Sequence, residues 1–159
     1  MTPNPIPAIH HAVITVSDIE ASLRFYRDGI GLAVLQDRDV EGDWPALFRA
    51  PSTRLRAVFL GNPDVPDRQA GVLELNAFES DAPEPRPQAF HAGLTMLSYF
   101  VDVDETLARL SSLGFTEPPR RIDQTTPGGI LTIAVVRDPD GVAILLTPGS
   151  LTRPSASAD

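Results

Sequence analysis

Two stretches of this chain follow one plan, and that duplication limits the fold more than any other feature. In "IHHAVITVSDIEASLRFYRDGIGL", residues 9–32, an apolar strand pattern runs into a helix start, an amphipathic helix, a glycine and a large apolar residue. "GLTMLSYFVDVDETLARLSSLGF", residues 93–115, does the same. In the first copy Ser17 with Glu20 makes a capping-box pattern. Ile19, Leu23, Tyr26 and Ile30 then recur at helical spacing, and Gly29 and Gly31 supply the helix end. In the second copy Asp102 and Glu105 hold the places of Ser17 and Glu20, and Gly114-Phe115 that of Gly31-Leu32. A period of about 85 residues is too long for a solenoid, so the chain reads as two modules.

Each module continues into further strands. "LAVLQD", "ALFRA", "LRAVFLG" and "GVLELNAF" read as strands of the first. "GGILTIAVVRDPDGVAILLTP" reads as two strands of the second, joined by an Asp-Pro-Asp-Gly type I turn that accounts for Asp138 and Asp140. The polar, proline-rich residues 79–92 read as a linker between modules at about 8–78 and 93–148. Residues 1–7 read as a loose lead and 149–159 as a loose tail.

Composition removes several function classes. Thirteen Lys and Arg against 21 Asp and Glu give a net charge of -8, which argues against nucleic acid or an anionic membrane as partner. There is no cysteine, so disulfides, thiolate zinc sites and cysteine nucleophiles are all absent. Any metal would rest on Asp, Glu and only three histidines. No apolar run is long enough to span a bilayer, and "MTPNPIPAIHH" lacks the basic and apolar regions of a signal peptide. A cytoplasmic protein is the expectation. No glycine-rich phosphate loop and no GxSxG elbow appear.

Together the motifs "HHAVITVSDIEASLRFYRDGIGL", "GVLELNAF" and "DPDGVAILL" resemble the vicinal oxygen chelate superfamily, over nearly the whole chain. That group includes glyoxalase I, bleomycin-resistance proteins and extradiol dioxygenases. The resemblance implies an α+β fold of two paired βαβββ modules that form one cup-shaped mixed sheet, in a homodimer. It also implies four metal-ligand positions. His11 matches the first and Glu74 the second. Met96 and Leu145 stand at the other two, where a histidine and a glutamate would be expected. His91 lies five residues before Met96 and would need a large register change to substitute. Only His11 and Glu74 could hold a metal, and a stable site wants three or four ligands. No cofactor is therefore expected, and a divalent metal is disfavoured.

Strand alternation gives the same inward set. His11, Val13 and Thr15 share a face, as do Glu74, Asn76 and Phe78, then Met96, Ser98 and Phe100, with Leu145 on the last strand. His10 points the other way and reads as structural. Trp44 reads as a loop residue able to close over a ligand. Arg49 and Arg56 read as solvent-facing or as partners of an acidic ligand group; Tyr26 and Arg27 read as helix packing and surface charge.

Three functions remain open. One is a lyase or isomerase of glyoxalase-like type acting on a largely apolar, carbonyl-bearing small molecule. Glu74 would be its general base, with His11 as partner, because an apolar pocket raises a carboxylate's proton affinity. The second is a sequestering protein like those for bleomycin, whose acidic surface favours a cationic compound. The third is a metal-dependent glyoxalase- or dioxygenase-like enzyme.

Overall fold

The computed structural model describes residues 9–65, 71–80, 93–94, 96–127 and 129–148. The N-terminal lead up to Ala8, linker residues 81–92 with His91 among them, and the tail from residue 149 lie outside the described residues. The chain divides into two compact units, Met1–Glu84 and Pro85–Asp159. Each is an α+β module with a four-stranded mixed sheet. No helix among the described residues is long and apolar enough to cross a membrane.

In the first unit β1 (His11–Thr15) leads into α1 (Ile19–Leu23), which continues as π-helical turns over Arg24–Ile30. Then come β2 (Ala33–Glu41), a short α2 (Trp44–Phe48), β3 (Arg54–Gly61) and β4 (Val72–Phe78). The sheet order is β1-β4-β3-β2, with β1 parallel to β4 and the other pairs antiparallel. One face of the sheet carries Ile14, Val16, Leu73, Leu75, Val58 and Leu60, all buried, as are Leu23, Phe25, Tyr26 and Ile30 of the helix. Each such side chain contributes about 1.5–3 kcal/mol by leaving water. This anchored face leaves the opposite face free to carry a site.

Three local expectations are corrected. The α1 N-cap is Asp18 rather than Ser17: its carboxylate accepts from the backbone N–H groups of Glu20 and Ala21, both at 3.0 Å. Asp outcompetes Ser here because an ionised cap also meets the positive end of the helix. The helix does not hold one α-helical spacing to its end, since it widens after Leu23 before Gly31 stops it at φ 98. "ALFRA" is not a strand. Asp43 caps α2 by accepting from Ala46 N–H at 3.2 Å, and Pro45 sits in the first turn, where it suits a helix start.

In the second unit β5 (Met96–Val101) leads into α3 (Val103–Ser112), then β6 (Arg120–Thr126), β7 (Gly129–Arg137) and β8 (Ala143–Pro148). The order β5-β8-β7-β6 repeats that of the first unit. Asp102 caps α3 through Glu105 N–H at 2.9 Å. Val103, Thr106 and Leu110 form the buried stripe of α3, and Ala134, Ile144 and Leu146 are the buried strand residues of this sheet. Tyr99 lies on the β5 face opposite Ser98. Burial raises its phenol above the ordinary range, and the charge of Asp138 adds to the effect.

Candidate functional site

The face of the first sheet away from α1 is organised in rows by strand register. Val13 of β1, Glu74 of β4 and Phe59 of β3 make one row. Thr15, Asn76, Ala57 and Arg38 make the next, across all four strands. Phe78, Leu55 and Val40 make a third. Apart from Phe78 these residues line one cavity of about 600 Å³, with Trp44 and Phe48 of α2 completing its wall. That volume suits a small organic ligand.

Position i to i+4 on α2 puts Trp44 and Phe48 side by side, with ring centroids 6.0 Å apart. Phe48 in turn lies edge-on to Phe78 at 6.1 Å. Gly42 makes this possible: a Cβ there would lie 2.7 Å from Cζ2 of the Trp44 indole.

The titratable pair joins Glu74 to His11, which lies opposite Val72 one row away on the same face. His11 Nε2 lies 3.3 Å from Glu74 Oε2, with side-chain exposures of 36% and 14%. His11 Nδ1 lies 2.7 Å from His10 Nδ1, so one of these nitrogens donates and the other accepts. With His10 donating, His11 keeps its proton on Nε2, facing the Glu74 carboxylate. His10, read from sequence as structural, is therefore hydrogen-bonded to the histidine that stands against Glu74. The His11 ring also stands edge-on to Phe59 at 6.3 Å.

Two buried polar atoms in the cavity wall have no hydrogen-bond partner among the described residues: Asn76 Oδ1 and Trp44 Nε1. A buried orphan of this kind is costly, by about 1–3 kcal/mol, unless a ligand or water satisfies it.

Of the residues read from sequence, Val13, Thr15, Trp44, Glu74 and Asn76 come together in this cavity, with His11 against Glu74 and Phe78 beside Phe48. Met96, Ser98, Phe100 and Leu145 lie in the second unit. There Ser98 pairs with Leu145, and Met96 and Phe100 share their face. Arg56 lies on the sheet face opposite the cavity, a third of its side chain exposed to solvent. It bonds Glu20 and Asp37, each at 2.7 Å, on the helix side of the sheet. Arg27 pairs with Asp28 and Tyr26 is fully buried. Sequence reasoning missed Arg38, Val40, Phe48, Leu55, Ala57 and Phe59. β3 offered no clean signal for Leu55, Ala57 and Phe59, because "LRAVFLG" is apolar on both faces.

His11 and Glu74 bring two possible metal donors together. Among the described residues no three His, Asp or Glu side chains gather. His11 and Glu74 supply two donors, while a thioether and a hydrocarbon occupy the other positions that the resemblance implies.

Comparison with known proteins bears on the same features. A family model described as Glyoxalase/Bleomycin resistance protein/Dioxygenase superfamily matches residues 8–146. The lactoylglutathione lyase-like protein terB of Aspergillus terreus is 34% identical over 149 residues, covering 89% of this chain and 75% of that protein. A glyoxalase family protein from Bacillus cereus superposes with a TM-score of 0.68 at 19% identity, over 93% of this chain and 97% of that one. The trypanothione-dependent glyoxalase I of Leishmania major does so with a TM-score of 0.59 at 24% identity, over 91% and 88%. At these identities the two structures speak for the fold alone.

Proposed function

The chain belongs to the glyoxalase/bleomycin resistance protein/dioxygenase superfamily, and on that premise we propose that it is a lyase or isomerase acting on a largely apolar, carbonyl-bearing small molecule. The observation that carries this reading is the Glu74 carboxylate in the cavity wall with His11 against it, beside the apolar side chains of Val13, Val40, Leu55 and Phe59. The lyase-like naming of the Aspergillus relative supports the reaction class.

The chemistry needs no group beyond the chain's own. The Glu74 carboxylate takes a proton from the carbon next to the substrate carbonyl, and the bonding pair moves into the carbonyl to form an enolate. Returning that proton to the same or a neighbouring carbon isomerises the substrate. Expelling a leaving group from the adjacent carbon makes the step a lyase reaction. His11, with its proton on Nε2, orients the carboxylate and steadies it between the two transfers. Val13, Val40, Leu55 and Phe59 hold the apolar frame of the substrate. No tightly held metal is part of this reading, because among the described residues His11 and Glu74 gather as two donors where a stable site takes three or four.

The test is deuterium exchange at the α-carbon of a panel of aryl and alkyl ketones and oxo acids in heavy water, followed by NMR, with metal content measured on the same sample. Exchange by the wild type that is lost in Glu74→Gln supports the proposal. Binding with no exchange in either protein favours a sequestering role. Exchange that needs stoichiometric zinc, nickel or iron overturns the metal-free part.

A further inference from the structure

Arg38 stands on the cavity wall with no acidic partner among the described residues. Its neighbours on β2, Asp37 and Asp39, project to the other face by strand alternation, and Asp37 is already taken by Arg56. The guanidinium carbon of Arg38 lies 5.8 Å from the centroid of the Phe59 ring, which fixes it over the cavity floor. Across the sheet its row runs Arg38, Ala57, Asn76, Thr15. The small Ala57 leaves a trough between the cation and Asn76, about 10 Å across two strand spacings. At the far side of that trough Asn76 is 6% exposed and its Oδ1 has no partner among the described residues. Trp44 Nε1, also in this wall, is a buried donor without an acceptor among the described residues.

These groups make one demand on a ligand. A cation and an indole N–H call for an oxyanion. A buried amide oxygen calls for a hydroxyl or another donor. Leu55, Val40, Phe48 and Phe59 call for an apolar frame between the two. We propose that the Arg38 row is a ligand subsite for an oxyanion, and that the natural ligand is a hydroxylated, largely apolar carboxylic acid. The claim rests on the reading of this cavity as the ligand site. It runs against the net charge of -8, which alone would favour a cation.

Four probes on one frame test it: 4-hydroxyphenylacetate, its methyl ester, tyramine, and phenylacetate without the hydroxyl. Trp44 is the chain's single tryptophan and lines the cavity, so indole fluorescence reports occupancy there, with calorimetry as a second reading. The acid should bind about tenfold more tightly than its ester, and added salt should narrow the gap. Arg38→Met should erase that preference and Arg38→Lys retain part of it. Asn76→Leu should erase the advantage of 4-hydroxyphenylacetate over phenylacetate. Equal binding of acid and ester, tightest binding of tyramine, a preference that survives Arg38→Met, or no binding of any probe at millimolar concentration would each overturn the proposal. α-Proton exchange is read separately, so the anion subsite and the proposed reaction stand or fall independently.

Discussion

Glu74 Oε2 lies 3.3 Å from His11 Nε2, and His11 Nδ1 lies 2.7 Å from His10 Nδ1, so the carboxylate ends a chain of two imidazoles that begins at the exposed His10. Three groups in one line should act as a unit, with unequal weights. Glu74→Gln keeps the size and removes the base, so α-proton exchange should fall by about 10²–10⁴ while ligand still shifts Trp44 fluorescence. His11→Ala should cost nearly as much, because the carboxylate loses its only near neighbour in the pair. His10→Ala should cost less and should alter the pH profile of the rate, since it frees the His11 tautomer. A His10→Ala profile that overlays the wild type would remove His10 from the group.

The place of the Trp44 indole depends on the missing side chain at Gly42. An added methyl group would sit 2.7 Å from the indole ring, closer than atoms tolerate. The backbone of Gly42 has no left-handed requirement, so the strain falls on the indole alone. Gly42→Ala should therefore fold with a near-wild-type melting temperature but shift the Trp44 emission and weaken ligand binding about tenfold or more. Unchanged emission and affinity would mean that α2 can move as a body to accept the methyl.

How much of this was legible in the sequence follows from where periodicity is clean. The first strand–helix opening was readable because Ile14, Val16 and Leu23 are buried at the spacing the sequence shows, before the helix widens. His11, Val13, Thr15, Glu74 and Asn76 were placed on one face because β1 and β4 alternate. β3 gave no such direction, since "LRAVFLG" is apolar on both faces and its polar marker, Arg56, points to the helix side, where Glu20 and Asp37 meet it. Phe59 and Ala57 were lost with it, and Arg38, which pairs with Ala57, was lost too. α2 was missed because five residues are too few to show a helical period. Its signal was the Asp43–Pro45 start, a matter of capping rather than hydrophobicity.

The Arg56 cluster contributes to acid stability. Hydrogen bonding to Arg56 holds the Asp37 carboxyl below its ordinary range. The folded form thus binds its proton less readily than the unfolded chain. The resulting stabilisation is complete above the usual carboxylate pKa of about 4 and disappears as pH falls through the lower folded value. All three side chains are at least a third exposed, so solvent screening limits the effect to about 0.5–1 kcal/mol at neutral pH. Arg56→Gln should move the acid-unfolding midpoint, followed by circular dichroism, to higher pH. High salt should shrink the difference between the two proteins.

Asp138 organises the turn between β7 and β8 from a buried position. It is 5% exposed, and its carboxylate accepts from Asp140 N–H at 3.0 Å and Val142 N–H at 2.7 Å. Its own N–H and C=O bond Val142 and Gly141. Asp138→Ala should lose about 2–3 kcal/mol, because two backbone donors are left without their acceptor. Asp138→Asn keeps one acceptor oxygen and should lose less. The same carboxylate is the lesser cause of the raised Tyr99 phenol, burial being the greater. Because the folded chain holds the Tyr99 proton more tightly than the unfolded one, stability should be complete below about pH 10 and fall as pH rises beyond it. In Asp138→Asn the Tyr99 titration, followed by NMR, should move down but stay above that of a free tyrosine. A Tyr99 titration unchanged by the substitution would leave burial as the whole cause.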